Sequence, residues 1–318
     1  MSWQPGAAPE AAGRVACIGA GVIGGGWVAQ FLARGFDVRV WDPSPDARVR
    51  VTRLVTRAWP ALEALGLAPG ASLNRMTFAP SLDEGVAEAQ FVQESAPERL
   101  DLKIRLLAEI DDATPPGTVI ASSTSGYPMG EMAVEATRAP ERLVVGHPFN
   151  PPYLIPLVEV VGGALAAASA VEWAVAFYER AGKSVITMDN DVPGFVGNRL
   201  QEALWREALH MVAAGEATVA QIDAAIREGP GLRWALMGPY LTFHLAGGDD
   251  GMAGMLDHFG PALLSPWTRL GAPPLTRELR DRVVAETEAE AAGRSIDALI
   301  RERDAGLVAI LKARPALG

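Results

Sequence analysis

The sequence predicts an α/β fold in which a doubly wound, mostly parallel sheet is followed by an all-helical C-terminal domain. Between residues 14 and 188, short runs of β-branched and apolar residues alternate with helical stretches, and strands separated by helices form sheets of this kind. After residue 189 only helical patterns remain. The chain has 318 residues, 49% of them hydrophobic, which is enough apolar material for two ordinary cores.

Seven short apolar runs are predicted to be the strands. They are residues 15–18, 38–41, 91–93, 119–121, 143–145, 157–161 and 185–187. About ten residues join the runs at 143 and 157, which is too few for a helical crossover between parallel strands. We therefore expect the late part of the sheet to be partly antiparallel.

The pattern after residue 189 begins with a long helix. One apolar stripe is formed by Leu200, Leu204, Ala208 and Met211. Pro193 suits the first turn of this helix, and Gly215 is placed to end it. Further helices are predicted over residues 218–228, 236–246, 275–290 and 293–312.

Composition argues against several classes of protein. The formal net charge is −10 at pH 7, with the basic residues scattered along the chain, so nucleic acid is not an expected partner. No apolar run is long enough for a membrane span, and the first residues do not resemble an export signal. The four histidines and Cys17 show no metal-ligand spacing. We expect a cytoplasmic protein without a metal.

A glycine motif follows the first predicted strand. Gly19, Gly21 and Gly24 form the pattern GxGxxG, with Val22 and Ile23 opening the next helix. In a Rossmann-like fold such glycines allow a tight turn, close approach of a pyrophosphate and close packing of helix on strand. The sequence therefore predicts a dinucleotide site at this turn.

The second strand ends at Asp42, where a carboxylate would meet the ribose 2′-hydroxyl of the dinucleotide. A carboxylate there also repels the 2′-phosphate of NADP. NAD is the predicted cofactor, although Arg39 and Arg48 lie nearby in the sequence and leave NADP open.

His147 follows the apolar run 143–145, at the strand ends where doubly wound folds bind ligands. Oxidation of a hydroxyl group needs a base, and imidazole side chains titrate near neutrality. Glu159 lies within the next apolar run, where a buried carboxylate requires a partner. We expect Glu159 to orient the His147 ring. The alternatives are a structural histidine and a glutamate exposed on an edge strand.

Two further polar groups are predicted to reach the same edge of the sheet. Ser125 belongs to the run Ser122-Ser-Thr-Ser-Gly126 after a strand, and Asn198 lies near the start of the long helix. Both could hydrogen-bond a reacting oxygen. For the serines, the alternative role is that of helix caps and turn residues.

Together these segments resemble the L-3-hydroxyacyl-CoA dehydrogenase superfamily. GAGVIG, SSTSG, HPFNPP, LVEVV and DVPGFVGNRL occur in its order and at its spacing, over residues 14 to about 260. The resemblance implies an NAD-dependent dehydrogenase with His147 as base, Glu159 as its partner, and Ser125 and Asn198 at the substrate oxygen. It also implies that Glu94, Glu98 and Lys103 lie near the nicotinamide ribose, and that the helical domain forms a homodimer.

Departures from the family pattern point away from acyl-CoA. Acyl-CoA enzymes carry SNTSS and a lysine-rich helical pair, whereas this chain has SSTSG and no lysine in residues 47–76. Five arginines in that range leave acyl-CoA open as an alternative. Residues 228–248 are most similar to the branch of the family that oxidises the 3-hydroxyl of L-carnitine. They are more distantly similar to the L-gulonate and lambda-crystallin branch, which leaves gulonate oxidation and a crystallin-like, NAD-binding structural role as alternatives.

A trimethylammonium group is best held by aromatic faces, and Arg233 is a candidate partner for a substrate carboxylate. The candidate aromatic contacts are Phe149, Phe195, Trp234, Tyr240 and Phe243; at each of them core packing is the alternative. We expect residues 1–13, rich in Ala, Gly and Pro, to be disordered. Residues 14–188 then form the NAD-binding domain, and residues 189–318 the helical substrate and dimerisation domain.

Overall fold

An eight-stranded sheet is the centre of the first part of the chain. The computed structural model describes residues 3–260, 276–296, 298, 299, 302 and 313. Its described residues divide into two units, Met1–Arg199 and Leu200–Gly318. The domain boundary at residues 188 and 189 stays a prediction.

The strand order in the sheet is β3-β2-β1-β4-β5-β6-β7-β8. The strands are β1 (Arg14–Ile18), β2 (Asp37–Trp41), β3 (Met76–Phe78), β4 (Phe91–Glu94), β5 (Val119–Ser122), β6 (Leu143–Pro148), β7 (Leu157–Gly162) and β8 (Ser184–Met188). All neighbours are parallel except β6 and β7, which pair antiparallel. The predicted doubly wound sheet with an antiparallel exception is thus confirmed. The order of the strands reverses between β1 and β4, which places a ligand crevice at their carboxyl ends.

Helices cover both faces of this sheet. They are α1 (Val22–Ala33), α2 (Ala47–Leu65), α3 (Leu82–Val86), α4 (Leu100–Ala113), α5 (Met129–Met132) and α6 (Ala168–Arg180). Buried side chains of α1, α2 and α6 pack in one cluster, and those of α3, α4 and α5 pack in a second cluster. Burial of one apolar stripe from each helix is what holds the layers together.

The second unit is helical. Its described helices are α7 (Gly197–Ala213, which begins in the first unit), α8 (Val219–Glu228), α9 (Pro230–Trp234), α10 (Pro239–Ala246), α11 (Gly251–Phe259) and α12 (Arg277–Ala291). Its buried core contains Met237, Leu241, Ala291 and Leu299. An all-helical C-terminal part is confirmed for the residues described. Most of the predicted helix 293–312 lies outside them.

The predicted start of the long helix at Pro193 is wrong. Gly194 and Phe195 have φ angles of +76° and +51°, which a right-handed helix does not accept. The helix therefore begins at Gly197. Gly215, with φ +68°, follows its end as predicted.

The predicted disorder of residues 1–13 is also wrong for the residues described, 3–13. Trp3 is 4% exposed, and its indole N–H donates to the carbonyl of Pro116 at 2.9 Å. The Gly6 amide donates to the Gly117 carbonyl at 2.8 Å, and the carbonyl of Ala7 accepts from Trp173. Because these apolar and backbone groups have partners in the loop before β5 and in α6, the segment is ordered despite its composition.

Candidate active site

The glycine motif forms a tight turn at the carboxyl end of β1. Gly19 has φ +97°, and a Cβ atom there would lie 2.6 Å from the carbonyl oxygen of Ser95. A Cβ atom on Gly21, in contrast, would meet nothing within 4 Å. α1 then starts at Val22, which is exposed, and Ile23, which is partly buried, while Gly24 packs against the turn. The turn thus leaves open space in front of a helix N-terminus, which suits a pyrophosphate.

Asp42 lies directly against this turn. Its Oδ2 accepts from the amide of Ala20 at 2.7 Å, and its Oδ1 accepts from the amide of Ser44 at 2.8 Å. The carboxylate is therefore fixed beside the glycine turn, and its contact with the ribose hydroxyl of a dinucleotide stays a prediction.

The two arginines that left NADP open both have other surroundings. The Arg48 guanidinium lies over the Phe78 ring, 4.4 Å from its centroid. Arg39 lines a cavity with Arg14 and Asp37, which begin β1 and β2, at the opposite end of the strands from Asp42. The arginine beside Asp42 is Arg50, 3.6 Å from its Oδ1, and this ion pair leaves the carboxylate in place. The Asp42 carboxylate therefore fits NAD.

His147 and Glu159 are paired across β6 and β7. They are register partners in the antiparallel ladder, and His147 Nδ1 lies 2.7 Å from Glu159 Oε2. Both side chains are buried, with 4% and 0% exposed. Since a carboxylate only accepts, Nδ1 carries the hydrogen, and the lone pair of a neutral ring is on Nε2.

The second oxygen of Glu159 is held by the start of α7. Its Oε1 accepts from the amides of Val196 at 3.0 Å and Gly197 at 2.9 Å. Burial alone would raise the pKa of Glu159, but the hydrogen bond from His147 and those from Gly197 and Val196 outweigh it and lower that pKa. Glu159 is thus an anion that supports a positive charge on the imidazole.

Two aromatic rings flank the imidazole. The ring centroids of Phe149 and Phe195 lie 4.9 and 5.5 Å from that of His147. Phe195 is fully buried and belongs to the core, so its position argues against the predicted substrate contact. Its left-handed backbone costs about 1–3 kcal/mol and turns the next two amides towards Glu159. Phe149 is partly exposed and stays a candidate.

Asn198 and Ser125 meet beside the ring. Asn198 Nδ2 lies 3.5 Å from His147 Nε2 and donates to the carbonyl of Ser125 at 2.6 Å. The amide of Ser125 in turn donates to Glu98 Oε1 at 2.8 Å. Ser125 is therefore tied to the site through its backbone, and its predicted contact with a substrate oxygen stays a prediction.

A buried ion pair between Lys103 and Glu94 lies beside Ser122, the first residue of the serine run 122–126. The Lys103 ammonium lies 3.0 Å from Glu94 Oε1, and the two side chains are 1% and 0% exposed. Glu94 also accepts from the Ser122 hydroxyl. Lys103 lies 3.5 Å from Glu98, which is 41% exposed. Of the three positions that the family resemblance places near the nicotinamide ribose, Glu94, Glu98 and Lys103, only Glu98 is exposed to solvent. The Lys103 ammonium is buried, so it could contact the cofactor directly only if the residues around it moved. That contact stays a prediction.

A buried lysine fixes the loop after His147. The Lys183 ammonium, in a side chain that is 7% exposed, donates to the carbonyls of Pro152 and Ile155 and lies 5.0 Å from the centroid of the Trp27 ring. Burial, with a smaller effect of Arg34, lowers the pKa of Lys183 from 10.5 to about 8. The loop that carries Phe149 is thus anchored by a cation without a carboxylate partner among these contacts.

The remaining substrate candidates belong to the second unit. Arg233 and Trp234 lie in α9, and Tyr240 and Phe243 lie in α10. All four side chains are exposed. They are free to contact a ligand, and their predicted role stays a prediction.

Thr124 and the amides of Val196 and Gly197 are site groups that were not predicted from the sequence. The hydroxyl of Thr124 donates to Glu98 Oε1 at 2.7 Å and so fixes the orientation of that carboxylate. Its position within the hydroxyl run was the available signal. The two amides carry no side-chain signal at all.

Family models cover almost the whole of this architecture. The NAD-binding domain of 3-hydroxyacyl-CoA dehydrogenase matches residues 14–192, and the C-terminal domain of the same enzyme matches residues 194–298. The chain belongs to the 3-hydroxyacyl-CoA dehydrogenase family. As a member of this family it is an NAD-dependent oxidoreductase.

The chain is also similar to curated proteins and to a solved structure over most of its length. It is 70% identical to the L-carnitine dehydrogenase of Streptomyces griseus over 96% of this chain and 91% of the relative. It is 69% identical to that of Streptomyces coelicolor over 98% and 97%. The structure of an NAD⁺-dependent dismutase, 5-formyl-3-hydroxy-2-methylpyridine 4-carboxylic acid 5-dehydrogenase, matches with a TM-score of 0.74 and 30% identity over 95% of this chain and 98% of that one.

Among the residues that the structure describes, no group of three or more His, Cys, Asp or Glu side chains is arranged to hold a metal ion. No helix among the described residues is long and apolar enough to cross a membrane.

Proposed function

We propose that the chain oxidises the 3-hydroxyl of L-carnitine to 3-dehydrocarnitine, with NAD as hydride acceptor and His147 as base. The observation that carries the proposal is the buried His147–Glu159 pair, with Nδ1 and Oε2 2.7 Å apart, in the sheet that also bears the glycine turn. The relatives named L-carnitine dehydrogenase, at 69–70% identity, support carnitine as the substrate.

His147, Glu159 and Asn198 have separate roles in the proposed oxidation. The glycine turn and Asp42 would hold NAD, which would supply the hydride acceptor for the carbinol carbon. The hydroxyl proton goes to Nε2 of His147, the nitrogen that Glu159 leaves free. Glu159 then stabilises the resulting imidazolium, because its carboxylate is already ionised and fixed by two amides. Asn198, beside Nε2, orients the hydroxyl group.

Carnitine carries a trimethylammonium group and a carboxylate. The trimethylammonium group has no N–H to donate, so aromatic faces bind it, each contributing about 0.5–2 kcal/mol. Phe149, beside His147, is the proposed aromatic contact. The substrate roles of Arg233, Trp234, Tyr240 and Phe243, described with α9 and α10, stay predictions.

A substrate panel tests this function. Purified protein is assayed with NAD against L-carnitine, L-gulonate and 3-hydroxybutyryl-CoA, and the highest kcat/KM is expected for L-carnitine. Preference for gulonate or for the CoA ester would reject carnitine. NAD binding without turnover of any of the three would favour the crystallin-like alternative.

We also propose that the chain is a homodimer. Five large apolar side chains of α7 are 41–59% exposed: Leu200, Leu204, Trp205, Leu209 and Val212. A continuous apolar helix face of this kind is typical of a surface covered by a partner. Light scattering of Leu204→Glu is expected to give a smaller mass than the wild type, with His210→Glu, an exposed position on the opposite face of the same helix, as the control. An unchanged mass of Leu204→Glu contradicts this interface.

The cytoplasm is the proposed location. Cys17, the single cysteine, is buried and free, which suits a reducing compartment, and NAD is the cofactor. Cell fractionation with an antibody against the chain tests this, and recovery outside the cytoplasm would contradict it.

A further inference from the structure

A buried polar network lies beneath the crevice between β1 and β4. It joins Tyr178, Gln93, Ser123, Trp27 and Ser95. Tyr178 and Gln93 are fully buried, and the Tyr178 hydroxyl lies 2.6 Å from Gln93 Oε1. Burial raises the pKa of Tyr178 well above its ordinary value of 10.0, so the phenol keeps its proton and donates it to this oxygen.

The orientation of Gln93 fixes the next step of the network. With Oε1 towards Tyr178, Nε2 faces Ser123 Oγ at 2.8 Å and the carbonyl of Gly146 at 3.5 Å. A carbonyl only accepts, so the amide nitrogen belongs at this end. Gln93 therefore donates to Ser123.

Ser123 receives a second donor. The Trp27 indole N–H, which cannot accept, points to Ser123 Oγ at 3.2 Å. The hydroxyl oxygen of Ser123 has two lone pairs, and both are now used. Its own hydrogen is consequently directed to Ser95 Oγ, 2.8 Å away.

Ser95 is the open end of this network. Its oxygen accepts from Ser123, and within the described part of the chain its hydroxyl has no other hydrogen-bond partner. Its amide donates to Ile18 O at 2.7 Å, and its Cβ lies 3.4 Å from where a Cβ on Gly24 would be. The partly exposed Ser95 hydroxyl thus lies beside the glycine turn, with its hydrogen left to point outwards.

We propose that Ser95 is a cofactor-binding residue whose hydroxyl, oriented by Ser123, donates a hydrogen bond to an acceptor oxygen of the bound dinucleotide. The acceptor belongs to the part that crosses the crevice from β1 to β4, the second phosphate of the pyrophosphate or the ribose beyond it, because Asp42, the predicted partner of the adenosine ribose, follows β2 on the other side of β1. The proposal rests on NAD as the cofactor and does not depend on the identity of the alcohol.

Calorimetric binding of three ligands to Ser95→Ala, without any alcohol substrate, tests this proposal. NAD and ADP-ribose both contain the pyrophosphate and the second ribose, whereas AMP contains neither. We expect Ser95→Ala to bind NAD and ADP-ribose about three- to tenfold more weakly than the wild type, as for the loss of one hydrogen bond, with AMP within about twofold. Ser169→Ala, which removes a hydroxyl bonded to the Trp3 carbonyl, is the matched control and should leave all three unchanged.

Two results would overturn the proposal: NAD binding to Ser95→Ala within about twofold of the wild type, or equal weakening of AMP, which would indicate a general change of the site. If Ser95→Ala does not fold, Ser95→Cys keeps the side-chain size with a much weaker donor. It must then weaken NAD in the same direction, and wild-type affinity would reject the hydrogen bond. Because no alcohol is present, failure of this proposal is distinguishable from failure of the carnitine assignment.

Discussion

His147 and Glu159 are register partners on adjacent antiparallel strands, and this single pairing sets the state of the imidazole. Glu159 Oε2 accepts a hydrogen bond from Nδ1–H at 2.7 Å, while Oε1 accepts from the amides of Val196 and Gly197. The carboxylate cannot rotate away without losing both amides. The ring therefore presents a free Nε2 in a fixed direction, as general-base catalysis requires.

Glu159→Gln should lower kcat about 10²–10⁴-fold. The Gln Oε1 would stay with the two amides, so its NH₂ group would donate to Nδ1 and move the ring hydrogen to Nε2, where it blocks the base. Steady-state kinetics with saturating NAD measure this loss. Glu172→Gln makes the same change at an exposed residue of α6 and is the control. If Glu159→Gln had the same kcat as this control, Glu159 would not orient the ring.

Asp42→Asn should raise the KM for NAD about tenfold and reduce the preference for NAD over NADP. The substitution keeps the side-chain shape but removes the charge that accepts the ribose hydroxyl and repels a phosphate. The ratio of kcat/KM for the two cofactors is the measurement. Asp46→Asn is the control, because the Asp46 side chain is exposed and does not cap α2; it should leave that ratio unchanged. If Asp42→Asn also left the ratio unchanged, the Asp42 carboxylate would not select the cofactor.

Lys183 should make the free energy of unfolding rise with pH in the alkaline range. Its pKa is 10.5 when unperturbed and about 8 in the folded chain, so between these values the unfolded state binds more protons. Below pH 8 the buried Lys183 is charged and lowers the free energy of unfolding by its full amount. As the pH rises from about 8 to 10.5 this loss disappears, and the free energy of unfolding increases by about 3 kcal/mol in total.

Urea unfolding of the wild type and Lys183→Met, near pH 8 and near pH 10, measures this effect. The wild type should gain stability relative to the variant as the pH rises. Burial raises the pKa of Cys17 above its ordinary value, which acts in the opposite direction but equally in both proteins. Parallel pH profiles of the two proteins would show that Lys183 does not titrate in this range.

Trp3→Ala should lower the free energy of unfolding by about 3 kcal/mol without changing KM for NAD. The indole is buried and hydrogen-bonded to Pro116, at the amino end of the sheet away from the glycine turn. Thermal and denaturant unfolding give the value. Val49→Ala, at a side chain that is 70% exposed, is the control; equal stability of the two variants would argue that the N-terminal segment does not hold the fold.

Much of the fold was predictable because its strands are buried and its helices amphipathic. All seven predicted strands are present, including the short connection that makes β6 and β7 antiparallel. β3 was not predicted, because its three residues are only partly buried or exposed and so lack a strong apolar pattern. α9 and α11 were not predicted either, since their glycines weaken a helical pattern.

The candidate site was less predictable, because several of its contacts depend on the backbone. The spacing of His147 and Glu159 along two apolar runs was sufficient to expect their pairing. The positive φ of Phe195, which turns two amides to Glu159, has no signature in a residue that usually avoids it. Likewise the order of residues 3–13 depends on single partners of Trp3 and Gly6, which composition does not reveal.

His147→Asn tests the base most directly, in a single-turnover measurement of NADH formation with saturating NAD and L-carnitine. The expected rate is at least about 10²-fold below that of the wild type, with NAD binding unchanged because the glycine turn and Asp42 are untouched. A wild-type rate of NADH formation in His147→Asn would contradict general-base catalysis by His147.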